Sequence, residues 1–360
     1  MGRTYDVELV ERLQRDARLS IVDGVRVVDK PVPDDARNRV LDPRVLAYAK
    51  QKIVLASTRS AEDAGAVPLY RQRHHAGRTS SSLTETSVRF DECLIPVGDH
   101  QIILYRWTPE GFDAFARPAT SALVYLHGGG FIKYDVRTFE HAMAFIAEQA
   151  GVPVFFPEYR LAPEAPFPAA VDDCVAAITY VVEHARDYGI NPQCIMVAGD
   201  SAGGSLANAC VQQLSVGSVA CLFELYPLTD AAPEAPDWSY DRYPVIPEQR
   251  AAAKNRIDSI RNSMSGLSLY LQGVDPTDPL VSARYAKDLA AFPPVTLVAS
   301  EYDYLRLSVE AFALHLAGAG VDVSLLRYHG CDHGFLELFG VRPQAEDVVL
   351  EMANLLRMMR

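Results

Sequence analysis

Val197-Ala198-Gly199-Asp200-Ser201-Ala202-Gly203-Gly204 lies between the apolar run Cys194-Ile195-Met196 and the segment Ser205-Leu206-Ala207-Asn208-Ala209. This order predicts a strand, a tight turn and a helix. Glycines on either side of Ser201 carry no Cβ, so the backbone can take a strained turn that lifts the serine Oγ clear of a sheet and onto a helix N-terminus. A serine held there is positioned to attack a carbonyl. Alone, a G-x-S-x-G pattern is only moderately specific, because strand-to-helix turns favour small residues in general.

A second motif upstream decides the matter. Leu123-Val124-Tyr125-Leu126 reads as a buried strand running into His127-Gly128-Gly129-Gly130-Phe131. Acyl transfer develops negative charge on a carbonyl oxygen, and the N–H groups of a glycine run can be aimed at that charge with no side chain in the way. The loop precedes the serine turn in the order this mechanism expects.

A serine hydroxyl is a poor nucleophile at neutral pH, so a histidine must take its proton, with a carboxylate behind it to fix the tautomer. Both partners are expected downstream, acid first. Of nine histidines, only His329 and His333 follow the last predicted strand. His333 is selected because Gly334 leaves room for its ring to swing over the serine turn, while His329 is expected to be structural. For the acid, the apolar run Val295–Ser300 leads into Glu301-Tyr302-Asp303. Asp303 is preferred over Glu301, since the shorter side chain loses less entropy on reaching the histidine. Asp332 adjoins His333, but neighbouring side chains rarely face one another, so it is expected to be a surface loop charge.

The chain has 360 residues, 49% of them hydrophobic, which suffices for one large core with added segments. A net charge of −12 argues against nucleic acid and anionic membranes as partners. The short basic patch Arg71-Gln72-Arg73-His74-His75 with Arg78 is expected to be a solvated loop. Six cysteines without paired spacing read as reduced core thiols. The N-terminus shows no apolar leader, and no stretch reaches the ~18 apolar residues of a membrane-spanning helix. A cytoplasmic protein is therefore expected, without stable membrane insertion.

Apolar runs alternate with helix-period segments, the pattern of an α/β fold with a mostly parallel sheet and helices on both faces. Strands are predicted at Ile102–Arg106, Ala122–Leu126, Val152–Pro157, Ile195–Ala198, Cys221–Tyr226, Val295–Ala299 and Val323–Tyr328, with an antiparallel edge strand within Thr86–Pro96. Helices are predicted at Thr138–Ala150, Ala169–Asp187, Gly204–Leu214, Leu307–Ala319 and Ala345–Met359. Two regions break the alternation and are expected to form a cap. Residues 1–85 carry helical runs at Val7–Leu19 and Pro43–Leu55. Residues 231–281 are rich in Pro, Asp and Tyr. They interrupt a core of residues 86–230 and 282–360. Phe131, Trp238 and Tyr240 are the candidates for lining a substrate site.

His127-Gly128-Gly129-Gly130-Phe131, Tyr159-Arg160-Leu161-Ala162-Pro163-Glu164-Ala165-Pro166-Phe167-Pro168-Ala169 and Gly199-Asp200-Ser201-Ala202-Gly203-Gly204 together resemble the hormone-sensitive lipase family of α/β-hydrolases. The resemblance extends over residues 90–340, with Tyr226-Pro227, Asp278-Pro279-Leu280 and His333-Gly334-Phe335 in the family's order. It implies an α/β-hydrolase fold with a helical cap, a catalytic triad of Ser201, Asp303 and His333, and oxyanion N–H groups from Gly128, Gly129, Gly130 and Ala202. It further implies hydrolysis of small carboxylic esters of short to medium acyl length, without a cofactor or metal. Two positions depart from the pattern: Tyr304 stands where Pro is common, and Ser205 where Asn is frequent. Neither removes a catalytic group. Prolines in Tyr159–Pro168 are expected to fix an extended path beside the glycine loop, with Arg160 or Glu164 as its ionic anchor. The same triad would serve amide or formamide hydrolysis or acyl transfer. A non-catalytic small-molecule receptor is disfavoured by the presence of His333, and the sequence leaves a homo-oligomer open.

Overall fold

The computed structural model describes residues 2–58, 80–115, 119–232 and 238–359. Its strands are β1 (Arg18–Val22), β2 (Val25–Lys30), β3 (Val88–Val97), β4 (His100–Pro109), β5 (Thr120–Leu126), β6 (Val154–Pro157), β7 (Ile190–Asp200), β8 (Cys221–Leu225), β9 (Val295–Ser300) and β10 (Val323–Tyr328). Its α-helices are α1 (Glu8–Arg15), α2 (Pro43–Thr58), α3 (Val136–Ala150), α4 (Ala169–Glu183), α5 (Ala202–Gln213), α6 (Arg250–Ser263), α7 (Leu267–Leu271), α8 (Arg306–Gly318) and α9 (Pro343–Met358).

Every residue of β5, β6 and β8 is buried, as expected of strands covered by helices on both faces. The strands form one sheet in the order β1-β2-β10-β9-β8-β7-β5-β6-β4-β3. From β2 to β6 along that order all pairs are parallel. The ends are antiparallel: β1 against β2, and β3 and β4 beside β6. Two apolar clusters fill the two faces. One holds Val124, Val197 and Leu222 with α4, α5 and α8. The other holds Tyr125, Ala198 and Phe223 with α3 and α9.

Among the described residues before position 86 two strands stand beside the helices, which corrects one of the two helical runs expected there. The helical run expected at Val7–Leu19 ends at Arg15, and Leu19 belongs to β1. Asp23 and Gly24 both adopt positive φ, +47° and +85°, the geometry of a two-residue hairpin turn for which Asp-Gly is well suited. That hairpin carries β2 into the sheet, where Leu325 pairs with Val27 and Tyr328 with Lys30. Leu41, Val45 and Ala49 share a small apolar cluster with Ala252, Ala253 and Ile257 of α6. The patch at Arg71–Arg78 lies outside the described residues.

Cys174, Cys210, Cys221 and Cys331 are buried free thiols, whereas Cys93 is exposed on the edge strand β3 and not a core residue. Among the described residues no helix is long and apolar enough to cross a membrane.

Candidate active site

Ser201 ends β7 and caps α5 with φ +52° and ψ −114°, a sparsely populated conformation for a residue with a Cβ. The turn is held by the Ser201 N–H donating to Leu225 O at 2.9 Å and by Leu228 N–H donating to Ser201 O at 3.2 Å. The glycines after it answer a packing demand: a Cβ at Gly203 would overlap the Leu126 carbonyl, and one at Gly204 would come within 2.6 Å of the Pro227 ring. Only bare backbone lets α5 start this close to the ends of β5 and β8.

The loops after β9 and β10 converge on this serine. His333 Nε2 lies 2.9 Å from Ser201 Oγ. Its Nδ1 lies 2.6 Å from Asp303 Oδ2. Asp303 is fully buried, and its Oδ1 accepts the Leu305 N–H at 3.0 Å. Burial alone would disfavour the imidazolium, but the charge of the Asp303 carboxylate and its hydrogen bond outweigh it, so the His333 pKa is raised above 6.5. Glu301 is turned elsewhere: it accepts the Gly330 N–H at 2.8 Å and pairs with His329 at 3.4 Å.

The glycine loop lies across the serine turn. Gly129, Gly130 and Ala202 line one cavity with Ser201 and His333. Gly128 differs from expectation, because its N–H donates to Asp200 Oδ1 at 2.8 Å and is already engaged. The same oxygen accepts the Tyr125 hydroxyl at 2.7 Å. Burial pushes the Asp200 carboxyl up to about 7, against the pull of these two donors. His127 is held by its own loop: Nδ1 donates to Gly128 O at 2.7 Å, and its ring stacks 4.2 Å from Tyr159. Burial lowers its pKa to about 4, so it is neutral. Arg160, expected as an ionic anchor for the loop, pairs instead with the buried Asp173 at 2.8 Å. A backbone bond makes the tie, Ala162 N–H to Phe131 O at 2.9 Å.

The cavity over Ser201 has a volume of about 650 Å³. Leu228, Ile260, Met264, Leu267 and Leu305 give it an apolar part, and Lys133, Arg256, Asp332, Glu337 and Arg342 a charged part. Tyr48 of α2 reaches it from the N-terminal segment. Phe131 lines it too, with its ring stacked 3.8 Å from Tyr270. Trp238 and Tyr240 do not. Trp238 packs 4.7 Å from Tyr240 and 5.4 Å from Tyr304, so these rings belong to the small apolar cluster of Leu41, Ala252 and Ile257. Asp332 is a further correction: it is 2% exposed, held between Arg256 and Arg342. A larger cavity of about 960 Å³ lies by β2 and α1, lined by Arg12, Asp29, Arg37, Arg327 and His329. Among the described residues no hydroxyl or thiol side chain lines it, so it offers no nucleophile of the kind found at Ser201.

A strained serine between strand and helix, facing an imidazole backed by a buried carboxylate at the ends of two later parallel strands, defines an α/β-hydrolase. The family described by the alpha/beta hydrolase fold matches residues 123–337. The chain belongs to the hormone-sensitive lipase family of α/β-hydrolases and is an enzyme of the carboxylesterase and lipase class. It is 33% identical to the esterase LipI of Mycobacterium tuberculosis, over 67% of this chain and 72% of that protein. It is 29% identical to an ethyl acetate hydrolase of Pseudomonas putida, over 66% of this chain and 73% of that one. Among solved structures, an esterase of Pyrobaculum calidifontis superposes with a TM-score of 0.71 at 25% identity, covering 89% of this chain and 99% of that one.

Proposed function

We propose that the protein is a serine carboxylic-ester hydrolase for short- to medium-chain acyl esters, working through Ser201, His333 and Asp303. The observation that carries this is the single imidazole within hydrogen-bond distance of both the Ser201 hydroxyl and the Asp303 carboxylate. Ser201 Oγ attacks the ester carbonyl as its proton passes to His333 Nε2. Asp303 holds the Nδ1–H tautomer and stabilises the imidazolium. The N–H groups of Gly129, Gly130 and Ala202 receive the oxyanion, a donor of this kind contributing about 3 kcal/mol. Gly128 is left out of that set, since its N–H is bound to Asp200. The alcohol leaves with the proton from His333, and water deprotonated by the same nitrogen releases the acid from acyl-Ser201.

The test is kcat/KM on p-nitrophenyl esters from acetate to palmitate. Activity is expected to be highest at short or medium acyl length and at least about tenfold lower with palmitate, as a cavity of this size and mixed polarity implies. Only neutral His333 can accept the serine proton. Rate should therefore fall as pH drops through its raised pKa, placing the acid limb's midpoint above 6.5. Folded protein that cleaves none of these esters would end this reading.

Asp200 is the residue on which the oxyanion loop rests. Asp200→Ala would leave the buried Tyr125 hydroxyl and Gly128 N–H without their acceptor. The expected cost is about 2 kcal/mol of stability. Slippage of the donors by about 1 Å would lower kcat about a hundredfold. Asp200→Asn keeps the accepting oxygen and should keep most of the activity. Equal losses in both variants, measured by kcat and thermal midpoint, would show that charge and not the two hydrogen bonds is what matters.

A further inference from the structure

Arg256 is the one guanidinium that the cap helix α6 contributes to the cavity over Ser201. Its side chain is only 11% exposed, so its donors are largely withdrawn from water. Nε donates to Asp332 Oδ2 at 2.8 Å, and the guanidinium lies 4.9 Å over the Tyr48 ring, which fixes its plane. Among the described residues neither terminal nitrogen has a hydrogen-bond partner. A guanidinium held this way offers planar donors suited to a carboxylate.

The surrounding charges favour an anion there. Asp332 divides its two oxygens between Arg256 and Arg342, so one carboxylate serves two guanidinium groups. The other carboxylate near Arg342, Asp42, accepts from Arg44 Nε at 2.7 Å, a guanidinium it shares with Asp34. Lys133 adds a cation to the same cavity. Its remaining carboxyl, Glu337, accepts the Tyr134 hydroxyl at 2.7 Å; burial raises its pKa, and the charge of Lys133 and this hydrogen bond oppose that rise. The chain as a whole carries −12, so any preference for an anionic substrate must arise locally, at this wall.

The geometry points to Arg256 as a specificity-determining residue that seats a second, ionised carboxyl of the ester substrate. The substrate class is then the half-esters of dicarboxylic acids or the O-acyl hydroxy acids, according to which side of the scissile bond faces α6. This rests on the ester-hydrolase reading of Ser201 above.

The full chain would be assayed on pairs differing only in a terminal carboxylate or methyl: monoethyl succinate against ethyl butanoate, monoethyl adipate against ethyl hexanoate, and 4-acetoxybutanoate against butyl acetate. Wild type is expected to favour the anionic member of at least one pair. Arg256→Gln should lower that selectivity ratio by about 10- to 100-fold, the span of hydrogen bonds to a charged group, and Arg256→Lys should keep part of it. A residue that only latched the cap to Asp332 would slow both members of a pair equally when replaced, and that result overturns the proposal. So does a wild type that turns over the neutral esters but prefers no anionic partner, an outcome that leaves the ester-hydrolase reading standing. A wild type that cleaves no member of any pair overturns the proposal, and its activity on the p-nitrophenyl series then decides whether the ester-hydrolase reading stands.

Discussion

Ser201→Ala is expected to lower kcat on p-nitrophenyl butyrate about a millionfold, as removal of the nucleophile does in serine hydrolases. His333 Nε2 faces Ser201, and of the other serines lining the cavity Ser263 donates its Oγ–H to the Ile260 carbonyl and Ser265 to the Asn262 carbonyl. The oxyanion donors remain, so a residual rate of about 10³ to 10⁴ over water is expected. The fold should hold, because alanine at φ +52° is no more strained than serine. Pre-steady-state kinetics provide the check. Wild type should release a burst of p-nitrophenolate as the acyl-enzyme forms, provided deacylation is slower, and the variant should release none. Retention of activity within tenfold, with an unchanged thermal midpoint, would remove Ser201 from the mechanism.

Asp303→Asn is expected to cost about 10⁴ in kcat while leaving the fold in place. Asparagine can keep the bond from Leu305 N–H through its Oδ1. Its amide then faces His333 Nδ1 as a donor where a carboxylate oxygen stood at 2.6 Å. That reverses the tautomer, putting the imidazole proton on Nε2 and pointing a donor at Ser201. The pH profile gives an independent sign. Asp303 is the main influence raising the His333 pKa against burial, so the acid limb of any residual activity should move to lower pH. A limb that stays in place would mean another group sets it.

The grouping of Ser201, His333 and Asp303 was legible because its signals are local in sequence. Gly203 and Gly204 sit where a Cβ would strike Leu126 or Pro227, and His333 and Asp303 each follow a strand by a few residues. What could not be read is what depends on distant partners. The glycine loop looked like a uniform row of donors, yet Gly128 is committed to Asp200, 72 residues away. Asp332 looked exposed beside His333, but its partners Arg256 and Arg342 come from α6 and from the loop before α9. Composition points Trp238 and Tyr240 at a substrate, whereas in the fold Trp238 packs on Tyr304 and Tyr240 on Trp238. The hairpin at Asp23-Gly24 did carry a local signal, a turn pair between alternating segments, which the helical periodicity on either side of it obscured.

The family match begins at residue 123, yet β2 lies before it at Val25–Lys30 and Tyr48 of α2 reaches the cavity over Ser201. The matched portion of the chain thus carries Ser201, Asp303 and His333, while part of the wall around them is written in residues that the match does not reach. Two enzymes could agree at every position from 123 to 337 and still present different rooms to the same reaction. In this protein, the shape of the cavity can change without any change to Ser201, His333 or Asp303.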